Sequence, residues 1–127
     1  MNLEKVVFGF FIVLAATLNF GFFLGDIDNV AHHNIYELYA AVVVNLIATV
    51  LKFGDRTQIG AVHLATSLVA DLQLIAAAVV WAYATGVAGG LTEHLMASVV
   101  SLSGGALFAN VVSVALLVAE TASLSRR

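Results

Sequence analysis

The sequence predicts an all-α integral membrane protein with four antiparallel transmembrane helices. Composition is the first reason: of 127 residues, 61% are hydrophobic and only 10% are charged, and the mean hydropathy is +1.02. A soluble domain needs more polar surface than this. Segment length is the second reason, because four spans of about 20 residues each fill nearly the whole chain. We therefore expect residues 1–127 to form a single transmembrane domain embedded in the lipid bilayer.

Four apolar stretches give the spans in order. They are Val6–Leu24, Ile35–Phe53, Ala61–Ala84 and Leu95–Ala119. The first is too long for the apolar core of a secretory signal, so we interpret it as a retained span. The connections are short, and we therefore expect each helix to run antiparallel to the one before it.

Basic residues predict the orientation of these helices. All five precede the first span, lie in or next to the connection at residues 54–60, or end the chain; they are Lys5, Lys52, Arg56, Arg126 and Arg127. Cytoplasmic segments carry an excess of lysine and arginine. We expect both termini to be cytoplasmic, with the protein in the cytoplasmic (inner) membrane of a prokaryote.

Asp71 is the main indication of function. It lies near the centre of the third span, where a carboxylate costs several kcal/mol and usually faces a bundle interior or a water-filled path. Asn45 and Asn110 lie near the centres of their own spans, and Ser67 shares a helix face with Asp71. These residues predict a midplane layer that binds or conducts cations. Alternatively, buried amides only hydrogen-bond neighbouring helices, typically for about 1 kcal/mol or less.

The two connections on the predicted outer side are rich in acids and histidines and contain no lysine or arginine. The outer rim comprises Asp26, Asp28, His32, His33, Glu37, Glu93 and His94. An acidic mouth concentrates cations. Histidine with carboxylate can also bind a divalent metal, although the spacing matches no specific metal motif. The alternative is an ordinary polar loop surface.

At the predicted inner end, Glu120 of the fourth span is within reach of His63 of the third. Such a pair can be an ion pair or part of a proton path.

Small residues at four-residue spacing in the fourth span allow close helix packing, within one subunit or between copies; they are Ala97, Ser101, Gly105, Ala109 and Ser113. The glycine pair at residues 104–105 could also mark an unwound point in this span.

The chain shows no nucleophile–base arrangement, phosphate loop or dinucleotide motif, so we do not expect an enzyme. No basic cluster indicates nucleic acid, and no cofactor is predicted beyond a monovalent or divalent cation. The favoured function is ion transport by a small homo-oligomeric cation channel or transporter, or cation binding. The alternatives are a non-transporting structural or accessory subunit of a larger membrane complex, and a sensor of pH or divalent metal.

Overall fold

The computed structural model describes residues 3–24, 34–55, 57–86, 89–90 and 92–125, and it contains four α-helices within them. These are α1 (Leu3–Phe23), α2 (Ile35–Lys52), α3 (Gln58–Gly86) and α4 (Glu93–Ser125). Each is long and apolar enough to cross a bilayer, by length and composition. The predicted all-α class is confirmed for this part of the chain.

Side-chain caps determine where three of the helices begin. The Asn34 side chain accepts a hydrogen bond from the backbone N–H of Tyr36 at the start of α2. The Thr57 hydroxyl accepts from the N–H of Gly60 at 3.0 Å before α3, and the Thr92 hydroxyl accepts from Leu95 at 3.1 Å before α4. Each cap satisfies an N–H group that has no partner within its helix.

Three of the helices are longer than the apolar stretches alone predict, α3 and α4 by the most. Helix α3 begins at Gln58, directly after its threonine cap, and α4 continues to Ser125. Hydropathy marks where a span leaves the apolar core of a bilayer, whereas backbone hydrogen bonding continues through polar residues. Helix α4 is unbroken at Gly104 and Gly105, so the predicted option of an unwound point there is wrong. After α3, Gly89 and Gly90 have φ angles of 85° and 137°, which only glycine adopts without strain.

Each helix packs against two others. Helix α1 contacts α2 and α4, and α3 contacts the same two helices. Early α1 meets late α2 where the Lys52 ammonium lies 4.2 Å from the centroid of the Phe8 ring. In α3 and α4, the numbering rises along one helix as it falls along the other. This follows from two contacts, His63 with Ser113 and Gln73 with Gly105.

The two ends of the bundle differ in character. At one end, the beginning of α1, the α2–α3 connection and the end of α4 surround a cavity of about 340 Å³; its lining residues are Glu4, Lys5, Lys52, Gly54, Asp55, Thr57 and Glu120. We call this the cavity end. The far end contains the end of α1, the beginning of α2 and the beginning of α4. Its half of the bundle holds the larger apolar core, with Phe22, Leu38, Leu74, Met96 and Val99 buried.

Apolar side chains also cover the outside of the bundle. Leu72 and Phe108 are each 71% exposed, and Phe10 and Val118 are each 63% exposed. Apolar side chains on both the inside and the outside are what a helix bundle in lipid requires, because the surrounding hydrocarbon is as apolar as the core.

The small residues of α4 pack within the chain. A Cβ atom on Gly105 would lie 2.5 Å from Gln73 Oε1, and Ala109 and Ser113 are buried. The neighbouring Gly104 faces the Phe23 ring of α1, where an added Cβ atom would lie 2.8 Å from the nearest ring carbon. These positions of α4 therefore serve contacts with α3 and α1 of the same chain, whereas Ser101 is exposed.

We predict that Gly104→Val lowers the free energy of unfolding by about 1–3 kcal/mol, because the new side chain overlaps the Phe23 ring, which packs against the larger apolar core. Gly86→Val is the matched control, since nothing lies within 4 Å of a Cβ atom there. Unfolding in mixed micelles, followed by circular dichroism, measures both variants. Equal stability of the two would contradict the close approach of α1 and α4.

Candidate functional site

Asp71 is buried inside the bundle, with 6% of its surface exposed. Its partner is Thr49 of α2, whose hydroxyl oxygen lies 2.5 Å from Asp71 Oδ2. The same hydroxyl oxygen lies 2.9 Å from the backbone carbonyl oxygen of Asn45. Asp71 Oδ1 has no hydrogen-bond partner among the described residues. One carboxyl oxygen is therefore held by the neighbouring helix, and the other is free to accept a ligand.

Asn45 is buried one helical turn from Thr49, on the far-end side of Asp71. Its amide nitrogen donates to the carbonyl oxygen of Ala41 at 3.0 Å, and its Oδ1 has no partner in the described part of the chain. Four residues of helix correspond to about 6 Å. Asn45 thus lies about one helical turn from Asp71, toward the far end of the bundle, rather than at the same height.

Asn110 is buried on the opposite side of Asp71, toward the cavity end. It precedes Ser113, which contacts His63, by about one turn, and Ser67 follows His63 by one turn. Because α3 and α4 are numbered in opposite directions here, Asn110 lies level with Ser67 and about one turn from Asp71. The expected single layer is therefore spread over about two turns of the bundle. Hydropathy places a residue within its own span but does not give the relative heights of the helices.

Three polar residues form a stripe along the buried face of α3. His63, Ser67 and Asp71 are spaced by four residues, so they share one side of the helix. Each has an atom without a hydrogen-bond partner among the residues described: His63 Nε2, Ser67 Oγ and Asp71 Oδ1. Both polar side-chain atoms of Asn110 are likewise without a partner there. We call His63, Ser67, Asn110 and Asp71 the polar column.

The expected contact between His63 and Glu120 is replaced by two others. His63 Nδ1 lies 2.6 Å from the Ser113 hydroxyl, and the His63 ring packs edge-on against Phe8. Glu120 forms an ion pair with Lys5 of α1 at 2.7 Å. Lys5 is the nearer partner because α1 packs beside the end of α4, a neighbour relation that the sequence does not specify.

The cavity end holds charged side chains of both signs. Lys52 is 6% exposed, and its ammonium lies 3.4 Å from an Asp55 carboxylate oxygen. Asp55 accepts hydrogen bonds from the Thr57 hydroxyl and backbone N–H, and these, with the charge of Lys52, lower its pKa to about 2. Asp55 therefore remains ionised at neutral pH, so the cavity keeps fixed charges of both signs.

Three buried polar residues are not among those that the sequence analysis identifies as candidates. Thr49 holds the Asp71 carboxyl group, and the Ser103 hydroxyl lies 2.6 Å from the side-chain amide of Asn19, joining α4 to α1. Asn19 is the only amide inside the first apolar stretch after Val6, and Thr49 is one turn from Asn45. Both signals were present in the sequence.

The expected outer rim is described only in part. Glu93 and His94 are exposed at the start of α4, whereas Glu37 is partly buried and its carboxylate lies over Gly21 of α1. Asp26, Asp28, His32 and His33 lie outside the described residues. Within the described ranges, no group of three or more histidine, aspartate or glutamate side chains could hold a metal ion.

Comparison with known proteins gives a family but no activity. A family model described as a family of unknown function (DUF6394) matches residues 32–121. The match covers α2, α3 and most of α4, and it includes every residue of the polar column. No curated protein matches the chain, and no solved structure matches it.

We predict that Thr49→Val lowers the free energy of unfolding by about 1–3 kcal/mol, because it leaves a buried carboxyl group without its partner while the side-chain volume is kept. Thr17→Val is the matched control, since the Thr17 hydroxyl is exposed and bonds only its own helix, at Val13. Unfolding curves of both variants in the same micelles provide the measurement. A loss as small as that of the control would show that this contact contributes nothing to stability.

Proposed function

The chain belongs to the DUF6394 family of unknown function, and we propose that it is a small membrane protein that binds cations at Asp71. The proposed unit is a homo-oligomer whose activity is cation transport, and its proposed location is the inner membrane of a prokaryote. The observation that carries the proposal is the free oxygen of Asp71, which is buried in the interior beside further unpartnered polar atoms of the polar column.

The proposed topology is four antiparallel transmembrane helices with both termini in the cytoplasm. Contacts between early α1 and late α2, and between early α1 and late α4, support the antiparallel order. Lys5 and Lys52 both lie at the cavity end, which favours the cytoplasm for that end. Tyr36 and Tyr83 are exposed near the far end, where aromatic side chains suit the headgroup region.

A buried carboxyl group favours a role in cation handling over simple adhesion between helices. Polar residues that only join helices in lipid are mostly serine, threonine and amides, whereas intramembrane carboxylates mark ion and proton pathways. Three such joining contacts already exist here, at Asn19, Thr49 and His63. Asp71 keeps one oxygen free beyond the contact that it makes, and this oxygen gives it capacity for a ligand.

Homo-oligomerisation would complete a conduction path that four helices alone enclose poorly. The outer faces of the helices are apolar, so copies can meet in the bilayer without burying charge. The buried small residues of α4 serve contacts within the chain, which leaves the exposed apolar faces as the surfaces for such assembly.

The second candidate is a non-transporting accessory subunit of a larger membrane complex. The polar contacts between helices favour it, because they stabilise the bundle without any need for transport. In that case Asp71 would act only through its contact with Thr49.

Two single-cysteine variants test the proposed topology, since the chain has no cysteine of its own. Ser123→Cys, in the exposed last part of α4, reacts with a membrane-impermeant maleimide only after the cells are permeabilised. Thr85→Cys, exposed at the far end of α3, reacts in intact cells. Reaction of both cysteines from the same side of the membrane would contradict the proposed topology.

We predict that Asp71→Asn abolishes cation flux into proteoliposomes while the oligomer size is unchanged, because the amide keeps the shape but removes the negative charge. Potassium, sodium, calcium and protons are tested in parallel. Glu93→Gln is the matched control: it removes one exposed carboxylate of the predicted outer rim, away from Asp71, and should lower the flux only partly. Absence of flux for every ion in the unmodified protein would favour the accessory subunit.

A further inference from the structure

We propose that the cation bound by Asp71 is a proton, and that Asp71 exchanges it with the cavity end only, through the polar column. This inference rests on the proposed cation binding at Asp71 and adds its substrate and its direction. Four observations carry it: the hydrogen bonds around Thr49, the spread of the oxygen ligands, the spacing of the column, and the apolar far half of the bundle.

The hydrogen bonds around Thr49 suit a protonated Asp71. The Thr49 hydroxyl has one hydrogen, yet its oxygen lies within hydrogen-bond distance of both Asp71 Oδ2 and the Asn45 carbonyl oxygen. If Asp71 carries a proton on Oδ2, it donates to Thr49, and Thr49 donates to Asn45. Both contacts are then satisfied at once. If Asp71 is ionised, the single hydrogen serves only one of the two acceptors.

The other oxygen ligands are too spread out to hold a metal ion together with Asp71. Asn45 and Asn110 lie about one turn, or about 6 Å, on either side of Asp71 along the bundle. A sodium- or calcium-sized ion needs several oxygens at about 2.3–2.6 Å from one point. A proton needs only one carboxyl oxygen, so the arrangement fits a proton better than a metal.

The column supplies a path from the cavity to that oxygen. Successive members on α3 have Cβ atoms about 5–6 Å apart, a gap that one bridging water spans. The His63 ring packs against Phe8 with ring centroids 5.0 Å apart, and the Lys52 ammonium, which lines the cavity, lies 4.2 Å from the centroid of the same Phe8 ring. His63 is thus the member of the polar column nearest the cavity end. A proton arriving as hydronium leaves a water behind and converts the Asp71 carboxylate to a carboxylic acid; release reverses these two changes.

The groups that face Asp71 from the neighbouring helices are neutral. Helix α2 presents Thr49 and Asn45, and α4 presents Asn110 one turn away. With no ion pair made to Asp71 among the described residues, protonation does not break a salt bridge. The charge of Asp71 therefore changes without disrupting an electrostatic partner.

The far half of the bundle blocks the path beyond Asp71. On the same face of α3, Asp71 is followed by Leu74 and Ala77, which pack with Phe22, Leu38 and Met96 in the larger apolar core. The side chains of this apolar core carry no donor or acceptor for a proton, and the buried polar residues toward the far end are bonded elsewhere, Asn45 to the Ala41 carbonyl oxygen and Ser103 to Asn19. In this conformation, exchange is therefore confined to the cavity end.

Labelling by dicyclohexylcarbodiimide tests the proposal, because this reagent enters apolar sites and reacts with protonated carboxyl groups. Inside-out and right-side-out vesicles from cells that express the full chain are labelled over a range of external pH with the internal pH fixed, and Asp71 is quantified by mass spectrometry. Asp71→Asn gives the background. We expect labelling to fall with rising external pH, approaching about tenfold per pH unit, in inside-out vesicles only. A protonophore lets the internal pH follow the external pH, so with it labelling should also respond to external pH in right-side-out vesicles.

The column is tested by Ser67→Ala, which should slow the response of labelling to a pH jump in inside-out vesicles at least severalfold. Ser103→Ala is the matched control: it removes an equally buried hydroxyl that contacts Asn19, away from the column. Equal rates in the two variants would overturn the path through Ser67. A response to external pH in right-side-out vesicles without protonophore would overturn the direction.

The outcomes also separate this inference from the proposed function. Labelling that ignores pH but is blocked by sodium, potassium or calcium would overturn the proton and keep cation binding at Asp71. Labelling that responds neither to pH nor to any of these ions would overturn both proton exchange and cation binding at Asp71.

Discussion

The carboxyl group of Asp71, inside four largely apolar helices, is the constraint on which the rest of the structure depends. A charge at this depth costs several kcal/mol, and more if it faces lipid. The helix α3 must therefore turn this face inward, and its neighbours must supply polar groups. Thr49 binds one oxygen of the carboxyl group, and the same inward face carries Ser67 and His63. The position of one residue thus sets the rotation of α3 and the polar character of its surroundings.

Polar contacts also account for how the four helices recognise one another. Apolar packing distinguishes poorly between a helix and lipid, so hydrogen bonds and close approaches at small residues determine the neighbours. Asn19 joins α1 to α4, Thr49 joins α2 to α3, and His63 joins α3 to α4. Gly104 and Gly105 admit the side chains of neighbouring helices at the same level. The bundle is therefore specified by a few interior contacts rather than by hydrophobicity.

The sequence predicts the helices well and the site in part. Hydropathy identifies all four helices, because length and apolar composition suffice for that purpose, and helical spacing correctly places Ser67 and Asp71 on one buried face. Relative heights between helices depend on side-chain packing, so the sequence predicts neither the offset of Asn45 and Asn110 nor the pairing of Glu120 with Lys5. Thr49 could have been suspected from its position one turn from Asn45.

The asymmetry of the bundle connects this site to a mechanism. Charged groups of both signs and a cavity lie at one end, the polar column reaches the centre, and the larger apolar core lies in the other half. A protein that only anchors its helices has no need for such a gradient. A cation-handling protein uses it to let a cation approach from one side while the other side stays closed.

Infrared difference spectroscopy of the protein in lipid is the most direct test of cation binding at Asp71. It follows the carbonyl stretching band of a protonated carboxylic acid while pH and cations are varied. We expect a band that responds to pH or to an added cation and is missing in Asp71→Asn. A band assigned to Asp71 that stays constant under all these conditions would contradict a cation-binding role, as would the absence of any pH-dependent band that Asp71→Asn removes. Asp71 would then be only a structural contact between α2 and α3.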